Sequence, residues 1–304
     1  MIKSISVIMP VYNSERFISR AIKSILNQTF RNFEFLIIDS SSTDKTEEII
    51  KSFADLRIVY HKIKRCSLSE SLNYGLNIAK YEIIARMDAD DFSYSNRFET
   101  QLKYFERDAT IDILSTQYFL IKNKLKIKFE NPSEHSDIKK IFALHSVINH
   151  AAVMYKKNII LDNFGYRNLP AEDYDLWLRL KDKVKFANTK EYLFDVYYYD
   201  SSIQRSNKDL LRKNVYKLQQ PYYDRGIEIE FGLNNNEAII TTGWREYFYG
   251  NKNKSRTIWI NPFKYFLFDK RIPIAYLISY LPNNIFYFIL ELRFRILIKS
   301  IFNK

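Results

Sequence analysis

The sequence predicts an α/β fold, with a mostly parallel sheet flanked by helices and a helical, basic C-terminal tail. Three observations carry that expectation. Through the first ninety residues, apolar runs of strand length alternate with apolar stripes at helical spacing, the pattern of buried parallel strands joined by right-handed crossovers. The 304 residues are 46% apolar and 16% aromatic, enough for one large α/β domain with an appendage or for two modest domains, and too apolar for a disordered chain. The net charge of +12 is concentrated near the end: Thr241 to Lys304 carries eleven Lys and Arg against three Asp and Glu.

Ile5–Val11 is a continuous apolar run with Ser6 inside it and Pro10 near its end, and reads as the first strand. Asn13 or Ser14 can cap the next segment, where Phe17, Ile18, Ala21, Ile22, Ile25 and Leu26 form one helical stripe. Phe33–Asp39 is the second strand. Asp44 and Glu47 have capping-box spacing and open a second helix through Ile49, Ile50 and Phe53. Arg57–His61 is the third strand, and Leu68, Leu72, Leu76 and Ala79 line a third helix. Ile83–Met87, the fourth strand, runs directly into Asp88-Ala89-Asp90-Asp91. Beyond Asn96 the alternation fades into a helix near Arg97–Phe105, a strand near Ile111–Thr116, a helix near Ile138–Leu144 and a strand near Ala151–Tyr155. A turn-rich stretch through Gly165 and Pro170 then leads to a helix carrying Glu172-Asp173-Tyr174-Asp175-Leu176-Trp177. The expected division is a domain over 1–225 and a basic, aromatic region over 226–304, loosened around Gly226–Gly232 and Asn234–Asn236.

Several chemistries are excluded. The first glycine is Gly75, so no GxGxxG turn and no GxxxxGK[ST] loop opens the N-terminal half. Four histidines, His61, His135, His145 and His150, have no HExxH spacing. The single thiol, Cys66, cannot pair within the chain, which points to a reducing compartment. Met1 to Val11 lacks the pattern of a secretory signal.

The tail mixes basic residues with Phe, Tyr, Trp and Ile, a composition that fits an anionic membrane surface or nucleic acid. Its basic residues sit among apolar runs suited to lipid, which argues against nucleic acid; the bland alternative is a solvated basic face. Ile272 to Leu290 is free of charge, but Pro273, Pro282, Asn283 and Asn284 interrupt it. Two short apolar helices lying in the interface suit it better than one transmembrane helix. Glu291, Arg295 and Lys299 then repeat every four residues along one helical face. Peripheral attachment at the cytoplasmic face of a membrane is the expectation.

In open parallel sheets, ligands bind beyond the carboxyl ends of the strands. That rule selects Pro10–Asn13, Asp39–Ser42 and Asp88–Asp91. Asp88 and Asp90, one residue apart in a loop, can face a hard cation such as Mg²⁺ or Mn²⁺ bridged to a diphosphate; the alternative is a solvated turn with Asp91 capping the next segment. Asp39 can accept hydrogen bonds from a uracil edge or a ribose hydroxyl, or make an Asx turn. Glu172-Asp173 is either the ordinary acidic first turn of a helix or a source of a general base. Trp177 reads as core before substrate platform, and His150 as a satisfied histidine before a site residue.

Ser6-Val7-Ile8-Met9-Pro10-Val11-Tyr12-Asn13, the Ile37-Ile38-Asp39 exit, Ala85-Arg86-Met87-Asp88-Ala89-Asp90-Asp91 and Glu172-Asp173-Tyr174-Asp175-Leu176-Trp177-Leu178-Arg179 together resemble the bacterial family 2 glycosyltransferases, in order and spacing, over roughly the first 180 residues. The resemblance implies the GT-A nucleotide-diphospho-sugar transferase fold, a nucleotide-sugar donor, most simply a UDP-sugar, a divalent cation, and inversion at the anomeric carbon. By position it implies that Pro10, Tyr12, Asn13, Asp39, Arg86, Asp88, Ala89 and Asp90 bind donor, with Asp39 at the nucleotide base and Asp88 and Asp90 at the ribose and the metal-bound diphosphate. Asp173 would be the base, with Glu172, Trp177 and His150 toward the acceptor or supporting the site. The acceptor implied is a glycan, lipid-linked, in surface polysaccharide synthesis. The tail, with Asn261-Pro262-Phe263 and Pro282, is similar to tails of membrane-associated members. Two places depart from the family pattern. Ser40 and Ser41 follow Asp39 where many members have Asp and Gly, and Arg65-Cys66-Ser67 stands where an Asn-x-Gly is common. The Gln-x-x-Arg-Trp of processive synthases is absent, so single transfers are expected, with a non-catalytic binding partner as the alternative.

Overall fold

β1 (Ile5–Val11) is buried along its whole length, because it lies at the centre of a parallel block and has no solvent face to supply with polar residues. The computed structural model of the chain describes residues 2–122, 125–199, 208–259, 262, 269 and 271–281. β1 pairs in parallel with β2 (Phe33–Asp39) and β4 (Ile83–Arg86), and β2 with β3 (Ile58–Lys62). The connecting helices are α1 (Ile18–Leu26), α2 (Thr46–Lys51) and α3 (Leu68–Ile78). α3 lies so close to the sheet that a Cβ on Gly75 would sit 2.7 Å from Ile8 Cγ2, so only glycine fits there.

Two expected caps are built differently. α1 begins at Ile18 without a side-chain cap; the Ser14 carbonyl accepts from the N–H groups of Phe17 and Ile18, while the Ser14 hydroxyl turns back to the Tyr12 carbonyl. At α2, Asp44 accepts from the Thr46 N–H, but Glu47 pairs with Lys51 and Lys62 instead of closing a capping box. The closed capping box lies at α3, between Ser67 and Glu70.

The rest of the sheet is mixed. β5 (Phe92–Ser93), α4 (Arg97–Arg107), β6 (Ile111–Lys122), β7 (Leu125–Phe129), α5 (His135–Ile141), a 3₁₀ turn over His150–Ala152, β8 (Met154–Lys156), α6 (Lys157–Leu161), α7 (Glu172–Leu180) and β9 (Lys185–Tyr197) complete it. The strand order is β3-β2-β1-β4-β8-β6-β9-β5, with β7 on β6. β8 runs antiparallel to β4 and β6, whereas β6 and β9 pair in parallel over a long, irregular register. The strand expected over Ala151–Tyr155 is thus a 3₁₀ turn followed by the short β8. Aliphatic and aromatic residues of β1, β2, β4, α1 and α4 make the main core.

By their contacts the residues fall into two units, Met1–Ile138 with Val147–Asp200, and Lys139–Ser146 with Ser201–Lys304. The boundary expected at 225/226 lies inside the second. That unit contains α8 (Lys208–Asp224), α9 (Ile227–Phe231), α10 (Asn235–Phe248), α11 (Lys252–Ile258) and α12 (Ile272–Ile278). Gly226 and Gly232, at φ +89° and +67°, separate α9 from its neighbours. The core of the unit is Leu144, Trp244, Tyr247, Phe248, Trp259, Ile272 and Ala275, and the Trp244 indole donates to Asp269 at 2.9 Å. α12 is the first of the two expected apolar helices. The second, the face through Glu291, Arg295 and Lys299, and Asn261 and Phe263 lie outside the described residues. No helix among the described residues is long and apolar enough to cross a membrane.

Candidate active site

The exits of β1 and β2 are tied into one loop cluster. Asn13 has a left-handed backbone, φ +46°, and so does Ser41, φ +56°, conformations that cost an L-residue about 1–2 kcal/mol and are held here by the hydrogen bonds around them. The Asn13 N–H donates to the Ser42 hydroxyl at 3.0 Å, and the Asn13 side-chain oxygen accepts from Thr43 N–H at 2.9 Å. Asp39 is fully buried. One of its oxygens accepts from the Ser42 N–H and hydroxyl, and the other accepts from the Tyr60 hydroxyl at 2.7 Å. Burial and that carboxylate push the Tyr60 phenol up. Asp39 thus makes the Asx-type turn that its position also allowed. Pro10 lies within buried β1, opposite Ile38, and Tyr12 just beyond the strand is half-buried. The Arg65 guanidinium lies 3.6 Å from the centre of the Tyr12 ring. The two departures from the family pattern meet: the Ser40 hydroxyl accepts from Cys66 N–H at 2.8 Å and from Arg65 at 3.2 Å, and donates to the Cys66 carbonyl.

At the exit of β4, buried Arg86 grips Asp88 with both terminal nitrogens, at 2.8 and 3.1 Å. Behind it stands fully buried Arg97, which donates to the Arg86 carbonyl at 2.7 Å. Burial, then Arg86, pulls Arg97 down to about 9. Ala89 is small and joins the core, leaving the carboxylates on either side of it at the loop. Asp88, Asp90 and Asp91 each offer an oxygen within 4.8 Å of the others. Burial, then the charge of Asp88, pushes Asp90 up to about 6, and burial with Asp90 and Asp88 raises Asp91 well above the carboxylate range. Asp91 was not singled out from sequence as a ligand; it also accepts from the Tyr197 N–H of β9 at 2.9 Å. Arg20 of α1 donates to the Asp90 carbonyl and lies 3.5 Å from the Tyr197 ring centre. Three carboxyl groups crowded this closely raise one another's proton affinity, and as hard oxygen donors they are of the kind that suits a divalent cation.

α7 opens on Ala171, whose φ of +64° is left-handed with no glycine to ease it. Glu172 and Asp173 occupy the first turn. Burial, then Asp173, pushes Glu172 up to about 7, and burial also raises Asp173, against backbone N–H groups that pull it down. Arg86 and Asp88 act electrostatically on both carboxyl groups, and the Arg86 N–H donates at 2.9 Å to the carbonyl of Val153, at the end of the 3₁₀ turn that carries His150. His150 Nδ1 lies 3.7 Å from a Glu172 oxygen. Trp177 is fully buried, edge-on to His150 and Phe186. Asp175 is salt-bridged to Arg179 and Arg167 inside the same helix and its approach.

A sheet with a parallel block whose strand exits carry an arginine-gripped Asp-x-Asp, together with an acidic helix start, defines an α/β glycosyltransferase of the GT-A type. The chain belongs to Glycosyl transferase family 2, whose family model matches residues 6–170. It is 34% identical over 210 residues to the O-antigen biosynthesis glycosyltransferase WbnJ of Escherichia coli, covering 66% of this chain and 82% of that one. It is 32% identical over 229 residues to the E. coli UDP-Glc:alpha-D-GlcNAc-diphosphoundecaprenol beta-1,3-glucosyltransferase WfaP, covering 70% and 85%. Among solved structures, S. aureus TarS 1–349 in complex with UDP-GlcNAc shares the fold, with a TM-score of 0.59 at 15% identity over 91% of this chain and 90% of that one.

Proposed function

We propose that this glycosyltransferase moves a hexose or N-acetylhexosamine from a UDP-sugar to a glycan acceptor, lipid-linked, with inversion, in surface polysaccharide synthesis. The observation that carries the reading is the geometric link between the β4 exit and α7: the Arg86 N–H donates to the Val153 carbonyl at 2.9 Å, at the end of the 3₁₀ turn whose His150 lies 3.7 Å from Glu172, which supports joining a diphosphate-and-cation region to a basic carboxylate. The UDP-sugar donor and the diphosphoundecaprenol-linked sugar in the name of WfaP support donor and acceptor class.

Asp88, Asp90 and Asp91 would hold Mn²⁺ or Mg²⁺, which supplies Lewis-acid neutralisation of the charge on the departing diphosphate. Tyr12, Asn13 and the Asp39 turn shape the nucleoside end of the donor site at the β1 and β2 exits. Asp173 accepts the proton of the acceptor hydroxyl as that oxygen bonds to the anomeric carbon, opposite the breaking bond to the diphosphate oxygen. Held together, donor and acceptor react as one molecule, so positioning supplies much of the rate. The basic, aromatic C-terminal region attaches the enzyme peripherally to the cytoplasmic face of the membrane.

The test is transfer from a panel of UDP-sugars, with Mn²⁺ or Mg²⁺, to a sugar diphosphate on a lipid or short alkyl chain. The expected result is one preferred donor and a product of inverted anomeric configuration by NMR. A retained configuration overturns the inverting mechanism; a folded protein that binds donor but never transfers it supports the non-catalytic reading.

A further inference from the structure

Behind the first turn of α7 lies a buried polar chain from three separate segments. His150 stands on the 3₁₀ turn, Tyr155 on β8, and Tyr166 on the stretch before α7; all three are buried. Tyr166 is fixed at both backbone polar groups by Asn73 of α3, which accepts from its N–H at 2.9 Å and donates to its carbonyl at 2.8 Å. The Tyr166 hydroxyl donates to the Tyr155 hydroxyl at 3.3 Å and sits 3.0 Å from His150 Nε2. A phenol has one hydrogen. With that hydrogen given to Tyr155, the Tyr166 oxygen can only accept from His150, so the imidazole proton is on Nε2. Nδ1 is then a bare lone pair, and it faces Glu172 at 3.7 Å.

Two carboxyl groups are adjacent in this turn, and a lone-pair nitrogen repels the ionised form of the one it faces but not the protonated form. We propose that His150 is a positioning residue: held as the Nε2–H tautomer by Tyr166, it keeps a proton on Glu172, so that the negative charge of the turn resides on Asp173. The inference rests on the reading of Asp173 as the base, and it deepens that reading by stating which of the two carboxyl groups is free to act. Burial agrees with it from both sides, since it disfavours charge on Glu172 and, together with Arg86, on His150. The charged and titratable groups acting on Glu172 include Asp173, Arg86, Asp88, His150 and Tyr166.

The imidazole can be read directly, without turnover. ¹⁵N-histidine NMR of the full chain has four imidazoles to resolve, and His150→Gln identifies the relevant one. The proposal expects a protonated Nε2 and a bare Nδ1 at neutral pH; a protonated Nδ1, which would donate to an ionised Glu172, overturns it. Tyr166→Phe removes one oxygen and keeps the ring. It should release the tautomer and let Glu172 ionise. The added charge then raises Asp173, moving the acid limb of kcat/KM upward by roughly half to one pH unit. In a Glu172→Gln background the same change should leave the limb where it is. A uniform loss at all pH values, or a shift that persists with Gln at 172, marks a purely structural chain and refutes the proposal. Absence of transfer in the wild type refutes the functional reading instead, and the ¹⁵N result still decides the tautomer.

Discussion

Asp173→Asn separates binding from chemistry at one atom. The substitution keeps the size of the side chain and its place in the first turn of α7 while removing the basic oxygen. A positioned base contributes about 10²–10⁴-fold, or roughly 2.7–5.4 kcal/mol at 1.36 kcal/mol per decade, and transfer should fall by that factor. Donor affinity should hold or tighten slightly, because Asp88 already places negative charge in this region. Stability gives an internal control. Burial raises Asp173, so its ionised form is disfavoured in the folded protein, and a neutral Asn relieves that cost at pH 7–8. Against this stands the loss of a carboxylate at a helix N-terminus, worth about 0.3–1 kcal/mol. The melting temperature should therefore be equal or higher, and inactivity cannot be put down to unfolding. The assay is donor calorimetry, transfer rate and a thermal melt on one preparation. Transfer within tenfold of wild type would refute the assignment, as would a loss of donor affinity as large as the loss of rate.

Asp90→Ala should abolish the dependence of UDP binding on Mn²⁺ and leave the fold intact; calorimetry with and without the cation checks this, and unchanged metal-dependent affinity rejects the cation site. Glu172, raised to about 7 from an ordinary 4.5, binds its proton more tightly in the folded protein, so its stabilising contribution is complete below pH 4.5 and is lost as pH rises through about 7. In chelator-treated samples, the melting temperature of Glu172→Gln should gain on wild type between pH 5 and pH 8; a constant difference sinks the argument. Deleting residues 282–304 should weaken sedimentation with anionic liposomes, since charge and apolar area leave together. The longer deletion from Asn261 would remove α12, whose Ile272 and Ala275 are buried against Trp244, and is expected to lower stability as well.

What could be read in the sequence was what the chain writes locally. β1, β2 and α3 carry their own apolar period, and Asp88, Asp90, Glu172 and Asp173 stand at strand or helix ends that the period locates. β9 was missed because Lys185–Tyr197 has neither a continuous apolar run nor sustained alternation, and its long pairing with β6 is broken by register shifts. With β9 went the contact of Asp91 with Tyr197. The Asp44–Glu47 box failed because Lys51 and Lys62 compete for Glu47, and Lys62 arrives from another strand. Nothing marks Ala171 as left-handed, since glycine or asparagine is the usual signal. The His150–Tyr166–Tyr155 chain joins three segments and has no sequence spacing to betray it.

The knot between Ser40 and Cys66 has a consequence for anyone who would re-engineer the donor site. One hydroxyl serves the Cys66 N–H, the Cys66 carbonyl and Arg65 at once, in a place where Ser40 is almost wholly buried. A carboxylate grafted at position 40 could accept from the N–H and the guanidinium, but it would set acceptor against acceptor at the Cys66 carbonyl. A glycine grafted at position 67, to restore the common Asn-x-Gly, would strip the capping box from α3. The loops over 40–42 and 63–67 therefore behave as a single exchangeable cassette: transplanted together from a relative they bring their own mutual contacts, whereas either loop moved alone inherits half of someone else's.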